Sequence, residues 1–257
     1  MLNSESRTLL KALLPVGLIA TKGWLRAQGL TLHFIDNAVK SRTLLPLAPG
    51  VYVRDESPIT WQGAVISLQR MQDVPMQIGG LSALALTGLS HYQTRNKTVE
   101  ISFYSAEKPP AWLNKLNLNA HIEWHSTRRL WPDVIIADAR YLRTHPWREG
   151  LPALTLSGPE KAILELLSLV PKQISVEHAD YLMQGLSTLS PRKLEPLLQA
   201  SLSVKSKRLF MWLAQRHNHP WFKYLKPEQY NLGSGKRSIV QAGRLDTTWN
   251  ITVPKEI

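Results

Sequence analysis

The glycine-rich stretch LGSGKRS (232–238) is the first part of the chain whose residue types suggest chemistry, because glycines ahead of Lys236 could cradle an anion. A phosphate-binding P-loop also needs a glycine five positions before the Gly-Lys pair, and Tyr230 and its neighbours supply none. No strand–loop–helix frame follows the stretch either. The sequence therefore favours a basic hairpin turn here over a nucleotide site.

Four histidines have spacings that occur in metal sites, but neither pair comes with the set of carboxylates and outer hydrogen-bond partners that we expect around ligating imidazoles. These are His121, His125, His217 and His219. The acidic residues Glu100, Asp133 and Asp138 do not form a recognisable nuclease pattern, and the chain has no cysteine and no Gly-x-Ser-x-Gly elbow. We therefore predict no catalytic set, no metal and no cofactor, and do not expect an enzyme.

Polar side chains also line one side of a short predicted helix near the N-terminus, TLHFIDNAVKSR (31–42). Its 3–4 spacing predicts that Leu32, Ile35, Ala38 and Val39 are buried. The outer side then carries His33, Phe34, Asn37 and Lys40. An asparagine amide is chemically suited to adenine in the major groove, so this side predicts contacts with bases, although Phe34 fits a place in the small core equally well.

The elements around this helix form a recognisable order. A helix is predicted in SESRTLLKALLP (4–15), and Thr21 caps a second one that Gly29 ends. The stretch LLPLAPGVYVR (44–54) alternates like a hairpin. Three helices and a hairpin predict a winged helix-turn-helix DNA-binding domain over residues 1–56.

Within this domain we predict two kinds of DNA contact. His33 and Asn37 are expected to reach base edges. The phosphate contacts are assigned to Lys22, Arg26, Lys40 and Arg42. Arg54 flanks the wing, where it could enter a minor groove or hold its backbone. The expected partner is double-stranded promoter or operator DNA.

Residues 57–257 predict a second domain of mixed α/β type, so the whole chain is placed in the α+β class. Strands are expected in TVEISFYS (98–105), AHIEWHST (120–127) and VIIADARYL (134–142). A helical segment follows from residue 157, where Ser157 and Glu160 predict a capping box. The last stretch, 230–254, predicts a terminal β-hairpin region with glycine-rich turns.

The charge of the chain is concentrated at its ends. The formal net charge is +12, of which residues 201–257 carry +7, from ten Lys and Arg against three Asp and Glu. Such an excess favours polyanionic partners, although solvated lysines would give the same count. The candidates for a second basic face are Lys205, Lys207, Arg208, Lys223, Lys226, Lys236 and Arg237.

The N-terminal sequence contains no basic region followed by a long apolar run, and LLPVGLIA (13–20) is short and broken by Pro15. We therefore expect no signal peptide, no membrane partner and a cytoplasmic location.

Several blocks of the sequence, in the same order, resemble the AbiEi antitoxins. They are GVYVR (50–54), ITWQGAVISLQR (59–70), IGGLSALALTGLSHY (78–92), VEISFY (99–104), GPEKAILELL (158–167), VKSKRLFMWLAQRHNHPWF (204–222), LGSGKR (232–237) and NITVP (250–254). Ordered blocks over nearly the whole chain are more specific than a lone helix-turn-helix.

The resemblance implies an autorepressor of an antitoxin–toxin operon in a type IV, abortive-infection system. It also implies that the C-terminal domain, residues 57–257, neutralises an AbiEii-type, nucleotidyltransferase-like toxin without a stable complex. A stand-alone winged-helix regulator, or a DNA-processing enzyme targeted by the winged helix, remains an alternative.

Overall fold

A computed structural model describes residues 4–90 and 98–256 of the chain. The N-terminal part contains three helices and a three-stranded antiparallel sheet of order β1-β3-β2. The elements are α1 (Ser4–Leu13), β1 (Ala20–Thr21), α2 (Lys22–Ala27), α3 (Leu32–Lys40), β2 (Leu45–Ala48) and β3 (Val51–Val53). The predicted helices and hairpin are found, and β1 is an additional strand that the sequence patterns did not indicate.

Threonine side chains begin both helices of the central turn, as predicted. Thr21 Oγ1 accepts a hydrogen bond from the backbone N–H of Trp24, and Thr31 Oγ1 accepts one from Phe34, each at 3.2 Å. Between the helices, Gly29 has φ +97°, a conformation that side chains disfavour. The caps and this glycine fix where α2 ends and α3 begins.

The buried side of α3 differs by one position from the prediction. Phe34, Ile35 and Ala38 are buried, whereas Leu32 is 46% exposed. Because Thr31 is the N-cap, Leu32 is the first helical residue and faces away from the core that Phe34 enters. The expectation that Leu32 is buried was therefore wrong, and Phe34 takes the alternative place in the small core.

The middle of the chain forms a five-stranded mixed sheet of order β6-β5-β4-β8-β7. The strands are β4 (Met76–Ile78), β5 (Val99–Ser105), β6 (Ala120–Ser126), β7 (Leu142–His145) and β8 (Leu154–Ser157). β5 and β6 are parallel, as are β4 and β8. The last two residues of the 78–92 block lie outside the described residues.

The strand predicted over 134–142 is not formed. A short helix, α6 (Asp133–Ile136), and a 3-10 turn, Ala139–Tyr141, precede β7. The Asp138 carboxylate accepts a hydrogen bond from the backbone N–H of Arg140 at 2.9 Å, which stabilises the turn in place of an extended chain.

Six further helices pack on and beside this sheet. They are α4 (Trp61–Met71), α5 (Gly80–Leu86), α7 (Pro159–Ser168), α8 (Val176–Gly185), α9 (Pro191–Ala200) and α10 (Val204–Arg216). The central one is α7, which packs against α5, α10 and α9. Residues 160–167 of α7 are all buried.

The capping box predicted at the start of α7 is absent, because Gly158 is the N-cap. Ser157 ends β8, and its hydroxyl donates to Glu165 instead. The Glu160 carboxylate accepts from the backbone N–H of Ser190, so it links α7 to the start of α9. Tertiary hydrogen bonds have replaced the local ones that the spacing indicated.

A small sheet closes the C-terminal end, with order β10-β11-β9. Its strands are β9 (Arg237–Ser238), β10 (Arg244–Asp246) and β11 (Ile251–Val253). β10 and β11 form the predicted terminal hairpin, and β9 adds to it in parallel. The α+β class is thus confirmed. Within the described residues, no helix has the length and apolar character needed to cross a membrane.

Candidate nucleic-acid interface

The outward side of α3 presents a continuous row of three polar residues. His33, Asn37 and Lys40 are spaced at i, i+4 and i+7, which places them on one helix face. His33 and Lys40 are exposed and Asn37 is half-buried. Asn37 Nδ2 lies 2.9 Å from His33 Nε2, so the two side chains are hydrogen-bonded to each other.

Physical dimensions allow this row to meet DNA. An α-helix with its side chains is about 10–12 Å across, and the major groove of B-DNA is about 12 Å wide. Behind the row, Phe34, Ile35 and Ala38 anchor the helix in the core, so its outer side chains are carried on a fixed backbone.

Lys22, expected at a phosphate, forms an ion pair between α2 and α3. Its Nζ lies 2.7 Å from Asp36 Oδ1, and the pKa of Lys22 is raised by that hydrogen bond. Both side chains are partly exposed, so the pair adds little stability, but it connects the two helices of the turn. Arg26, one helical turn along α2, is exposed.

The two arginines near the wing are already engaged within the protein. Arg54 donates to the carbonyl oxygens of Lys11 at 3.4 Å and Leu14 at 3.1 Å, at the end of α1. Arg42 has φ +57° and lies 3.1 Å from Glu56 in an exposed pair. Arg54 therefore connects the wing to α1 by hydrogen bonds. Arg42 lies on the surface, where Glu56 partly neutralises its charge.

A feature that the sequence patterns missed is the support given by α4. Arg70 donates to the carbonyl of Leu13 at 3.0 Å, and its guanidinium lies 5.3 Å from the ring centroid of Trp24 on α2. An apolar stripe on one face of α4 predicts burial, but no local signal identifies α1 and α2 as its partners. The residues of this stripe are Trp61, Ala64, Val65 and Leu68.

Three members of the predicted second basic face are buried or half-buried on α10 and do not form an exposed surface. Lys207 and Arg208 are each 2% exposed, and the Arg208 guanidinium is surrounded by backbone carbonyls. Lys205 Nζ donates to the carbonyls of Ser168 and Val170 at the end of α7. Their placement on α10 buries the cations, so the prediction was wrong for Lys207 and Arg208, and Lys205 is half-buried.

The other four members are exposed. They are Lys223, Lys226, Lys236 and Arg237. Lys223 Nζ lies 5.1 Å from the ring centroid of Tyr224, which is itself 59% exposed. The basic surface of the C-terminal part is therefore smaller than the sequence count of +7 suggested.

Three of the four histidines with metal-like spacing have other partners, and the fourth, His121, is exposed. His217 Nε2 lies 2.8 Å from Asp180 Oδ1, His219 Nε2 lies 2.7 Å from the carbonyl of Met183, and the His125 ring packs 4.9 Å from that of Tyr104. Among the described residues, no group of three His, Asp or Glu side chains could hold a metal ion.

A buried carboxylate, Glu165, lies in the middle of the molecule. It accepts hydrogen bonds from the Gly80 N–H at 3.1 Å and the Ser157 hydroxyl at 2.9 Å. Burial raises its pKa, and the nearby Lys161 ammonium opposes that shift. Glu165 is 0% exposed, so no substrate reaches it, and we assign it to the core.

Comparisons with known proteins cover almost the whole chain. A family model described as the AbiEi antitoxin N-terminal domain of a transcriptional regulator matches residues 3–94. A second, described as a transcriptional regulator and AbiEi antitoxin of a type IV toxin–antitoxin system, matches residues 96–254. No curated protein matches the chain.

Among solved structures, the RV2827C protein from Mycobacterium tuberculosis is similar, with a TM-score of 0.50 and 17% identity over 91% of this chain and 85% of that one. At this identity the likeness concerns the fold alone. The two family models together show that the chain belongs to the AbiEi antitoxin family of type IV toxin–antitoxin transcriptional regulators.

Proposed function

We propose that this protein is a DNA-binding autorepressor and the antitoxin of a type IV, abortive-infection system. In this role it neutralises a nucleotidyltransferase-like AbiEii toxin without a stable complex. Its N-terminal elements act as a winged helix-turn-helix that binds promoter DNA. The observation that carries the DNA-binding half is the row His33, Asn37 and Lys40 on the outer side of α3.

The row combines the two kinds of group that operator recognition needs. Asn37 carries an amide that can bond both the N6 amine and N7 of adenine, and Lys40 supplies a cation for a phosphate. The His33 ring, bonded to Asn37 in the free protein, exchanges that hydrogen bond for one to a base edge. Arg26, Lys22 and Arg42 flank the row and serve the DNA backbone.

We propose binding rather than catalysis, because both family descriptions name a transcriptional regulator. Two described residues whose pKa values are shifted by burial, Glu165 and Lys161, are enclosed in the core and do not form an open site. A cytoplasmic location fits such a role, since promoter DNA is there.

The experiment is a binding assay with the full chain and a duplex from its own promoter. We expect much tighter binding to this duplex than to a shuffled duplex of equal length. Replacing His33, Asn37 and Lys40 together by Ala removes the preference, whereas Lys115→Ala, an exposed lysine outside the N-terminal part, leaves it unchanged. Equal binding of both duplexes by the wild type, or full preference in the triple variant, would refute the DNA-binding half.

The antitoxin half is tested separately, by growth under expression of an AbiEii-type toxin. We expect the full chain to restore growth while the two purified proteins elute separately in size-exclusion chromatography. Failure to restore growth would leave a stand-alone regulator, the alternative reading of the family resemblance.

A further inference from the structure

The buried side chain of Arg208 gathers the carbonyl groups of a glycine-rich loop. Its Nε donates to Leu232 O at 2.7 Å and its Nη2 to Gly233 O at 2.8 Å. Its Nη1 donates to Gly235 O at 2.7 Å and to Asn250 O at 2.9 Å. Four carbonyls of residues 232–250 thus point at one guanidinium, which is 2% exposed.

This arrangement sets the direction of the amide groups in residues 232–237, called here the 232–237 loop. In a trans peptide the C=O and the following N–H point in opposite directions. The carbonyls of Gly233 and Gly235 point inward at Arg208, so the N–H groups of Ser234 and Lys236 point outward. Gly233 and Gly235 have φ +66° and +71°, which lets the backbone bring three nearby carbonyls to one side.

The charge of this region is positive and unbalanced. Among the described residues, no carboxylate forms a salt bridge with Arg208, Lys236 or Arg237. The pKa of Arg208 is lowered by burial and by the positive charge of Arg237, so the two guanidinium groups lie near each other. Lys236 and Arg237 are both exposed. An anion would relieve this repulsion.

We propose that the outer side of the 232–237 loop binds a phosphate group of a nucleic-acid backbone. The ligands are the N–H groups of Ser234 and Lys236, the Ser234 hydroxyl and the cations of Lys236 and Arg237. Outward backbone amides beside cations form the kind of concave site that binds anions. Arg208 is a positioning residue that holds the loop from inside.

The site differs from a nucleotide-binding P-loop. A strand, β9, begins at the last residue of the loop, where a P-loop requires a helix, and Tyr230 stands where the P-loop glycine would be. A single phosphodiester fits the two amides and two cations, whereas the long cradle for a nucleoside triphosphate is not formed. The inference concerns the C-terminal part and does not depend on how α3 binds promoter DNA.

The test uses the full chain with His33, Asn37 and Lys40 changed to Ala, so that any remaining binding is independent of the α3 row. The first probe is inorganic phosphate, and its binding is monitored by the NMR resonances of the backbone amides. The second probe is a labelled 12-nucleotide single-stranded DNA unrelated to the promoter, and its affinity is measured by titration. We expect phosphate to shift the amide resonances of Ser234 and Lys236. We expect Lys236→Ala to weaken DNA binding about fivefold to tenfold and to lower the salt slope by about 0.7. Lys115→Ala is the matched control.

Arg208→Lys separates positioning from charge. The lysine keeps the positive charge but cannot reach four carbonyls, so we expect a lower melting temperature and weaker DNA binding, with the α-helical circular dichroism signal retained at the temperature of the binding assay. Unshifted Ser234 and Lys236 amides, or equal losses in Lys236→Ala and Lys115→Ala, would overturn the proposal. Equally tight binding of a poly-glutamate peptide would show that the loop binds anions generally, and would overturn the nucleic-acid assignment.

Discussion

The hydroxyl of Ser67 on α4 accepts a hydrogen bond from the backbone N–H of Ile19 at 2.7 Å, just before β1. The same hydroxyl donates to the carbonyl of Gly63 at 2.6 Å. Both groups are buried, so the bond joins α4 to the N-terminal part where no water competes. The predicted boundary at residue 56 stays a prediction, and α4, beyond that boundary, packs against the module before it.

Gly63→Ala should destabilise the protein. A Cβ at this position would lie 2.2 Å from the carbonyl oxygen of Gly17, and that backbone atom has little freedom to move. We expect a loss of about 1–3 kcal/mol in the free energy of unfolding, measured by urea denaturation. Gly23→Ala is the control, because nothing lies within 4 Å of its Cβ and alanine favours a helix. Equal effects of the two changes would contradict the close approach of α4.

The N-terminal elements were predictable because their signals are local. Threonine caps, Gly29 and the 3–4 spacing of apolar residues act over a few positions and fixed three helices correctly. The packing of α4 against these elements, in contrast, depends on residues that are distant in the sequence. The stripe of α4 predicts burial, but its contacts with Leu13 and Ile19 join residues about fifty positions apart, and no pattern in one sequence contains that pairing.

Charge on α10 shows a second limit of sequence reasoning. Lysine and arginine are rarely buried, so a run such as VKSKR predicts a solvated face. In the structure, backbone carbonyls within residues 232–250 accept the hydrogen bonds of the Arg208 guanidinium. These carbonyls point at Arg208 because of the turn geometry of a segment that is distant in the sequence. The outward placement of His33 and Lys40 on α3 was predictable, because it depends on helix spacing and not on a distant partner. That they contact DNA stays a prediction.

Asn37→Ala should weaken operator binding and leave non-specific binding nearly unchanged. Removal of the amide deletes a base contact and no charge, so we expect a cost of about 1–3 kcal/mol for the promoter duplex. Titration of both duplexes by fluorescence anisotropy measures the two affinities. Asn114→Ala, an exposed asparagine outside the N-terminal part, is the control. Equal weakening of both duplexes by Asn37→Ala would show that Asn37 does not contact a base.

Lys40→Ala should weaken binding to all duplexes alike. Loss of one phosphate contact removes one released counterion, so the slope of log K against log salt should fall by about 0.9. The measurement is the affinity at four or more salt concentrations for the promoter and the shuffled duplex. An unchanged slope, matching that of Lys115→Ala, would place Lys40 away from the DNA.

His219 should make the stability of the protein fall in mild acid. Its Nε2 donates to the carbonyl of Met183, and its ring stacks on Trp221 with centroids 5.0 Å apart. Burial lowers the pKa of His219, so the unfolded chain binds a proton more readily than the folded one. The free energy of unfolding therefore falls as the pH drops below about 6.5, towards the folded pKa.

We expect His219→Gln to be less stable at pH 8 but to lose less stability between pH 7 and pH 5 than the wild type. Urea denaturation at five pH values measures this difference. His121→Gln, a change at an exposed histidine, is expected to follow the wild-type profile. Parallel profiles for His219→Gln and the wild type would assign the acid sensitivity to other groups.

Charge reversal on the exposed part of the C-terminal basic surface should impair protection against the toxin and spare repression. We propose Lys223→Glu, Lys226→Glu and Lys236→Glu together, because all three side chains are exposed and their reversal should leave the fold intact. Reversal of Lys207 and Arg208 would instead bury unpaired carboxylates and unfold the chain, so it cannot test a surface.

Growth under toxin expression and a promoter reporter are measured in the same cells. The control reverses three exposed cations elsewhere, Lys115, Arg129 and Arg143, with the same change in net charge. Full protection by the first variant at normal expression, or equal loss in both, would show that this surface has no specific part in neutralisation.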